Sequence, residues 1–353
     1  MTQQTDLYRI LDANANRVME GLRVSEEYAR FVLDDAHLAR LLKEMRHDLL
    51  DALSEVPADA RFAARETRQD VGTTVSMAAE FERSTTQNVA ITNLKRAEQA
   101  FRVLEEYGKL LSPRFAAAME SLRYRAYTLC RALAITASSL ERLETARIYA
   151  LVDGADSAAA FEQRIAALIA AGVDMMQLRD KRLDDRTLLA RARQLRNQTR
   201  DTAVMFVVND RPDIALLSQA DGVHTGQDEL SVKDCRTVLG PQSLVGVSTH
   251  TIEQARTAVL DGASYLGCGP TFPSETKSFS AYPGLPFLRE VAAEIRLPSF
   301  AIGGIHAENI HRVADTGLRR VAVGSALSGN PANVEKTMKT IKAALSTPGK
   351  MHE

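Results

Sequence analysis

The chain has 353 residues, of which 44 are basic and 45 acidic, for a net charge of −1. That balance excludes a bulk polyanion such as DNA as the partner and makes any anion site local. The length allows two domains, each with its own core. Three cysteines, Cys130, Cys235 and Cys268, fit neither a disulfide framework nor a metal-ligand spacing, and read as buried thiols of a reducing compartment. No stretch reads as a signal peptide, and no apolar run is long enough to span a bilayer, so a cytoplasmic protein without a membrane or nucleic-acid partner is expected.

Residues 1–145 carry few strand signals. Apolar residues recur at helical spacing in Leu22, Val24, Tyr28, Phe31 and Val32, and again in Leu38, Leu41, Leu42, Met45 and Leu49. The segment also repeats itself. Arg23-Val24-Ser25-Glu26-Glu27-Tyr28 recurs as Arg102-Val103-Leu104-Glu105-Glu106-Tyr107, and the same shift carries Asn14 to Asn93, Arg17 to Arg96, Arg46 to Arg125 and Leu50 to Leu129. One register across so many identities predicts a duplicated helical hairpin, over about 14–53 and 93–132, packed as a four-helix bundle. Between the copies, the polar run 65–74 reads either as a solvated crossover or as a ligand-binding loop. The repeated Arg and Glu residues read as i,i+4 pairs, with internal Arg–Glu pairing the favoured arrangement.

From position 146 the pattern changes to short apolar or β-branched runs alternating with amphipathic helices. Strands are predicted at 148–153, 174–179, 203–209, 221–225, 244–248, 264–268, 299–303 and 320–324, with a last helix over 333–345. Eight strand–helix units over 146–353 predict an α/β domain of the (β/α)8, or TIM-barrel, type, in preference to a doubly wound open sheet. In a barrel the loops after the strands form one rim, and the chemistry-bearing residues all fall there.

Arg179 and Lys181 follow the second strand two residues apart, a spacing that predicts side chains pointing the same way into the mouth. Lys277, Ser274 and Thr276 occupy a Gly/Pro/Ser/Thr-rich loop longer than a strand–helix connection requires, and offer ammonium and hydroxyl donors to an oxyanion. Asp210 follows Asn209 directly after strand 3, and Asp228-Glu229 follow strand 4. Neighbouring strands would bring these carboxylates to one hard cation, the donor set of a magnesium (Mg2+) site, unless Asp210 serves only to cap the next helix. Gly303-Gly304 and Gly324-Ser325, after strands 7 and 8, stand where barrels build a phosphate cradle from backbone N–H groups. The rim thus suggests two anion sites, one for a diphosphate with metal and one for a monophosphate. No suitably placed Ser–His–Asp set or redox-cofactor fingerprint is present.

The ordered series QLRDK, VND, GVHTGQDEL, GVSTH, GCGPTFPSETK, AIGGI and VGSA, from about Ile148 to Leu345, resembles the thiamine-phosphate synthase (thiamine-phosphate pyrophosphorylase) family. The resemblance implies transfer of a 4-amino-2-methylpyrimidin-5-ylmethyl group from its diphosphate to the nitrogen of 4-methyl-5-(2-phosphoethyl)thiazole. By position it implies that Gln177, Arg179, Lys181, Asn209 and Lys277 hold the pyrimidine diphosphate, with Arg179, Lys181 and Lys277 catalytic. It further implies Asp210 and Glu229 as magnesium ligands and Ser248 as a contact to the pyrimidine. Ser274 and Thr276, with Gly304, Gly324 and Ser325, would bind the thiazole phosphate. Position 229 departs from the family, where Asp is more frequent, which leaves Asp228 or an intervening water as alternatives.

A dissociative substitution without a covalent enzyme intermediate is expected, because the leaving diphosphate gains charge that cations stabilise and the aminopyrimidine supports a cationic methylene. The competing readings are a thiazole tautomerase-like barrel and a non-catalytic sensor of thiamine phosphates. The helical half resembles a domain fused ahead of this synthase in some bacteria, for which a pyrimidine-phosphate kinase or a structural or regulatory module is expected. It lacks the GxxxxGK[ST] motif of a P-loop kinase. The expected partners are the two small-molecule substrates, and a homo-oligomer is compatible with the sequence.

Overall fold

In the computed structural model, residues 3–68, 70, 83–273 and 282–346 are described. The chain divides into two compact units, 1–137 and 138–353, and the division falls inside a helix. Among the described residues no helix is long and apolar enough to cross a membrane, and Cys130, Cys235 and Cys268 are buried free thiols.

The first unit is helical: α1 (Gln3–Phe31), α2 (Ala36–Leu53), the short α3 (Ala58–Ala64), α4 (Thr86–Gly108) and the start of α5 (Pro113–Arg142). Asp35 caps α2 by accepting from Leu38 N at 2.8 Å, and Thr85 caps α4 by accepting from Asn88 N at 3.0 Å, so the turns between helices are written locally. α1 and α4 pack along each other, with Ser25 Oγ donating to Ala90 O at 3.0 Å. The repeated asparagines behave alike: Asn14 donates to Ile10 O and Asn93 to Val89 O, each at 2.9 Å and each to the carbonyl four residues earlier. The repeated arginines do not. Arg46 binds the buried Glu26, whereas its counterpart Arg125 reaches Asp48, and Arg123 takes the place beside Glu105. In the crossover, Arg65 closes a two-point ion pair with Asp12 at 2.7 and 3.0 Å, while Gln69 and residues 71–74 lie outside the described residues.

The second unit is a closed barrel of eight parallel strands in chain order: β1 (Ile148–Val152), β2 (Met175–Leu178), β3 (Met205–Asn209), β4 (Gly222–Thr225), β5 (Leu244–Thr249), β6 (Tyr265–Cys268), β7 (Ser299–Ile302) and β8 (Val321–Val323). Closure is made by β1 on β8, with Ile148 beside Val321 and Ala150 beside Val323. A closed cylinder rules out the doubly wound alternative. Helices α6 (Ala158–Ala170), α7 (Asp185–Thr199), α8 (Pro212–Leu217), α9 (Val232–Leu239), α10 (Ile252–Asp261), α11 (Gly284–Glu294), α12 (Ile310–Ala314) and α13 (Pro331–Ser346) follow successive strands. Ser157, Asp184, Ser231 and Thr251 cap α6, α7, α9 and α10 through side-chain oxygens.

Side chains alternate across each strand, so every second residue fills the cylinder. Tyr149, Met175, Val207, Leu244, Tyr265, Phe300 and Ala322 form one buried layer with Leu143 and Ala146, which lead into β1. The residues after the strands are thereby left at the opposite end, around a mouth.

Candidate active site

A cavity of about 400 Å³ opens at that mouth, lined by Gln177, Arg179, Asn209, His224, Ser248 and His250 on one part of its wall. Gly303, Gly304, Gly324, Ser325, Ser328 and Arg164 line another part. Of the residues expected from sequence, Gln177, Arg179, Asn209, Ser248, Gly304, Gly324 and Ser325 therefore surround one space. Ser274, Thr276 and Lys277 lie outside the described residues.

Arg179 and Lys181 part company. β2 ends at Leu178, so the two-residue alternation of a strand stops before either residue. Arg179 is held by its own N–H donating to Val152 O at 2.8 Å and faces the cavity. Lys181 is not part of the cavity lining, and its ammonium stands 3.2 Å from Asp210 Oδ2 and 3.8 Å from Glu229 Oε1. Between them, the Asp180 carboxylate accepts from Gly154 N at 3.1 Å and from Arg182 N at 2.9 Å, fastening the loop after β2 to the loop after β1. Hydrogen bonds from Arg182 hold the Asp180 carboxyl down to about 2.

Asp210 does not cap the following helix, whose N-cap is Arg211 without a side-chain hydrogen bond. Its backbone lies in the left-handed region, at φ 61°, with its N–H donating to His224 O at 2.8 Å. Asp tolerates that conformation better than most residues, and here it turns the carboxylate towards Lys181. Glu229, not its exposed neighbour Asp228, supplies the second carboxylate to that ammonium. The greater length of Glu is accommodated because Gly226 has no side chain: a Cβ there would stand 2.3 Å from Glu229 Oε2. Two carboxylates from adjacent loops already share a cation, the lysine ammonium, so these residues fit a hard divalent ion. Among the described residues no group of three or more His, Cys, Asp and Glu side chains gathers, which leaves further coordination to ligand oxygens and water.

The glycine turn after β7 needs both of its glycines. Gly303 and Gly304 have φ of +97° and +64°, and a Cβ on Gly304 would fall 2.6 Å from Pro273 O. They let this turn lie against the loop after β6, with Thr271 N donating to Ile302 O at 2.8 Å and Phe272 N to Gly303 O at 3.0 Å.

Sequence reasoning missed Arg164. It stands on α6, donates to Asp153 Oδ1 at 2.9 Å and to Ser328 Oγ at 3.3 Å, and brings a cation to the cavity wall that carries Gly324 and Ser325. A lone Arg in the Ala- and Ile-rich run AAAFEQRIAALIA was its only signal. His224 and His250 were also missed. His224 is buried, and burial pushes its imidazole down to about 4, the nearby Asp210 charge opposing and the Arg179 charge reinforcing that effect. A histidine inside a strand segment could have singled it out. His250 Nδ1 pairs with Gly269 O at 2.5 Å, tying the loop after β5 to the loop after β6.

A family model described as thiamine monophosphate synthase matches residues 148–327, and one described as the ThiD2 family matches residues 9–132. A thiamine-phosphate synthase of Rhodopirellula baltica is 47% identical over 329 residues, which cover 91% of this chain and 88% of that protein. The thiamine-phosphate synthase of a Synechocystis strain is 38% identical over 338 residues, 95% of this chain and 96% of the relative. Among solved structures, a thiamine phosphate pyrophosphorylase from Pyrococcus furiosus aligns with a TM-score of 0.51 at 28% identity, over 58% of this chain and 97% of that one.

Proposed function

Because the chain belongs to the thiamine-phosphate synthase family and is a transferase of thiamine biosynthesis, we propose that its barrel joins 4-amino-2-methyl-5-(diphosphomethyl)pyrimidine to 4-methyl-5-(2-phosphoethyl)thiazole. The observation that carries this reading is one shared cavity with Gln177, Arg179, Asn209 and Ser248 on one wall and Gly304, Gly324 and Ser325 on another. Two phosphorylated reactants can then meet in one space, which converts an encounter in solution into a local substitution.

In this reading Gln177 and Ser248 hold the pyrimidine ring, and Arg179, Lys181, Asn209 and Lys277 hold its diphosphate. Ser274, Thr276, Gly304, Gly324 and Ser325 hold the thiazole phosphate. Asp210 and Glu229 would hold magnesium, whose contribution when bound is to neutralise charge on the diphosphate. The methylene–oxygen bond breaks and its electron pair leaves with pyrophosphate. The thiazole nitrogen lone pair then forms the new carbon–nitrogen bond. Arg179, Lys181 and Lys277 stabilise the leaving group more as its charge grows, the differential that lowers a barrier. The proposal places the protein in the cytoplasm.

For the helical unit, the ThiD2 match over 9–132 supports a phosphotransfer module that supplies the diphosphate from a pyrimidine monophosphate. One assay tests both parts. The full chain, given the pyrimidine diphosphate, the thiazole phosphate and Mg2+, is expected to release pyrophosphate, and chelation is expected to stop it. Replacing the diphosphate by the monophosphate plus ATP is expected to restore product only if the helical unit is a kinase. Binding of the thiazole phosphate without any pyrophosphate release would instead favour a tautomerase-like or sensor role.

A further inference from the structure

The barrel interior holds polar groups where aliphatic side chains would pack at less cost. Tyr149 and Tyr265 are 1% and 0% exposed, and Gln177 and His224 are 2% and 5% exposed. They touch in series. Gln177 Nε2 donates to Tyr149 OH. Tyr149 OH and Tyr265 OH are 3.0 Å apart, Tyr265 OH and His224 Nδ1 3.2 Å, and His224 Nε2 and Ser248 Oγ 2.9 Å. Gln177, His224 and Ser248 line the cavity, whereas the two tyrosines do not. Gly246 makes room for the chain: a Cβ there would stand 2.1 Å from Tyr265 Cζ and 2.5 Å from His224 Nδ1.

The pairings in such a chain are not independent. A buried hydroxyl left without a partner costs about 1–3 kcal/mol, so each member is driven to pair. An amide –NH2 can only donate. Once Gln177 donates to Tyr149, the proton of Tyr149 is left for Tyr265, and that of Tyr265 for His224 Nδ1. A neutral imidazole that accepts at Nδ1 carries its proton on Nε2, where it meets Ser248 Oγ. The Ser248 hydroxyl proton is then left to donate into the cavity, and Gln177 Oε1 to accept from it. Turning the Gln177 amide round would reverse every link together. The chain requires a neutral imidazole, because an imidazolium has no acceptor.

We propose that Tyr149, Tyr265 and His224 are positioning residues that couple the two ends of this chain, so that Ser248 is presented as a donor and Gln177 as an acceptor to one ring ligand. The ligand this suits has an exocyclic N–H and a ring nitrogen lone pair, as an aminopyrimidine does, and its oxo counterpart has the reverse polarity. This deepens the reading of the preceding subsection and rests on it. The chain moves no proton during turnover; it sets which way each hydrogen bond points.

The test has two independent readouts. On the free protein, nitrogen NMR of 15N-histidine-labelled wild type, with His224 assigned by comparison with His224→Gln, is expected to show His224 protonated on Nε2. In Tyr265→Phe, and separately in Tyr149→Phe, the rings and their packing are kept while one link is cut. Each is expected to raise KM for the pyrimidine diphosphate about tenfold, which corresponds to about 1.4 kcal/mol, with KM for the thiazole phosphate unchanged. A merely structural role would move both KM values or neither. His224 found protonated on Nδ1, or an unaltered pyrimidine KM in both phenylalanine variants, would overturn the proposal. Absence of pyrophosphate release from the wild type would instead sink the assigned reaction, while leaving the NMR result to stand or fall alone.

Discussion

In the helical unit, Glu26 and Glu105 are buried and each is met by an arginine, Arg46 at 2.5 Å and Arg123 at 2.7 Å. On the barrel rim, Arg179 faces a cavity and Lys181 stands 60% exposed beside two carboxylates. The same residue types serve opposite ends. A charge matched inside the fold holds helices together, because an unmatched one would bear the full cost of leaving water. A charge that lines a void, as Arg179 does, is placed to meet a ligand in the proposed reaction. The distinction is one of geometry, since Arg–Glu and Lys–Asp pairs occur in both places.

The comparison can be broken most directly in the helical unit. Arg46→Ala leaves Glu26 with Arg23 at 3.7 Å as its remaining cation. It is expected to destabilise that unit by about 3 kcal/mol, read as an earlier urea transition, while turnover at the barrel is kept at denaturant-free conditions. On the rim the pattern inverts. Arg179→Ala and Lys277→Ala are each expected to lower kcat about 100-fold, corresponding to about 2.7 kcal/mol of transition-state stabilisation, with the unfolding transition unmoved. An Arg179→Ala protein that unfolds early but turns over normally would erase the contrast.

A smaller effect sharpens it. His224 has a folded value of about 4 against an ordinary 6.5, so the unfolded chain binds more protons between those values. Its contribution to barrel stability is complete above pH 6.5 and is lost as pH falls towards 4, with about 2 kcal/mol already lost at pH 5. Urea unfolding of the barrel at pH 7.5 and pH 5 measures it. A barrel no less stable at pH 5 would show that the imidazole is not held neutral.

Much of this was legible in the chain. Eight apolar runs with helices between them specify a cylinder, since period-two alternation and crossover helices leave few other closures. The glycine turns at 303–304 and 324 and the Asn209-Asp210 turn could be read because backbone turns have strong local preferences. The divergence of Arg179 from Lys181 could not. Residue alternation predicts direction only within a strand, and β2 ends one residue too soon. The repeat in the helical half was visible in its identities, yet Arg125 departs from Arg46, because equivalent positions in two copies meet different neighbours.

Local sequence by itself therefore determined the two kinds of architecture, the order of strands and helices and the inventory of charged groups on the rim, since each depends on interactions within a few residues. Only the tertiary structure decided which of those groups share a cavity, that Glu229 and not Asp228 meets Lys181, and that Gln177 and Ser248 are joined through Tyr149, Tyr265 and His224. Those residues come from five different strands, and hydrogen bonds between them exist only once the cylinder has closed.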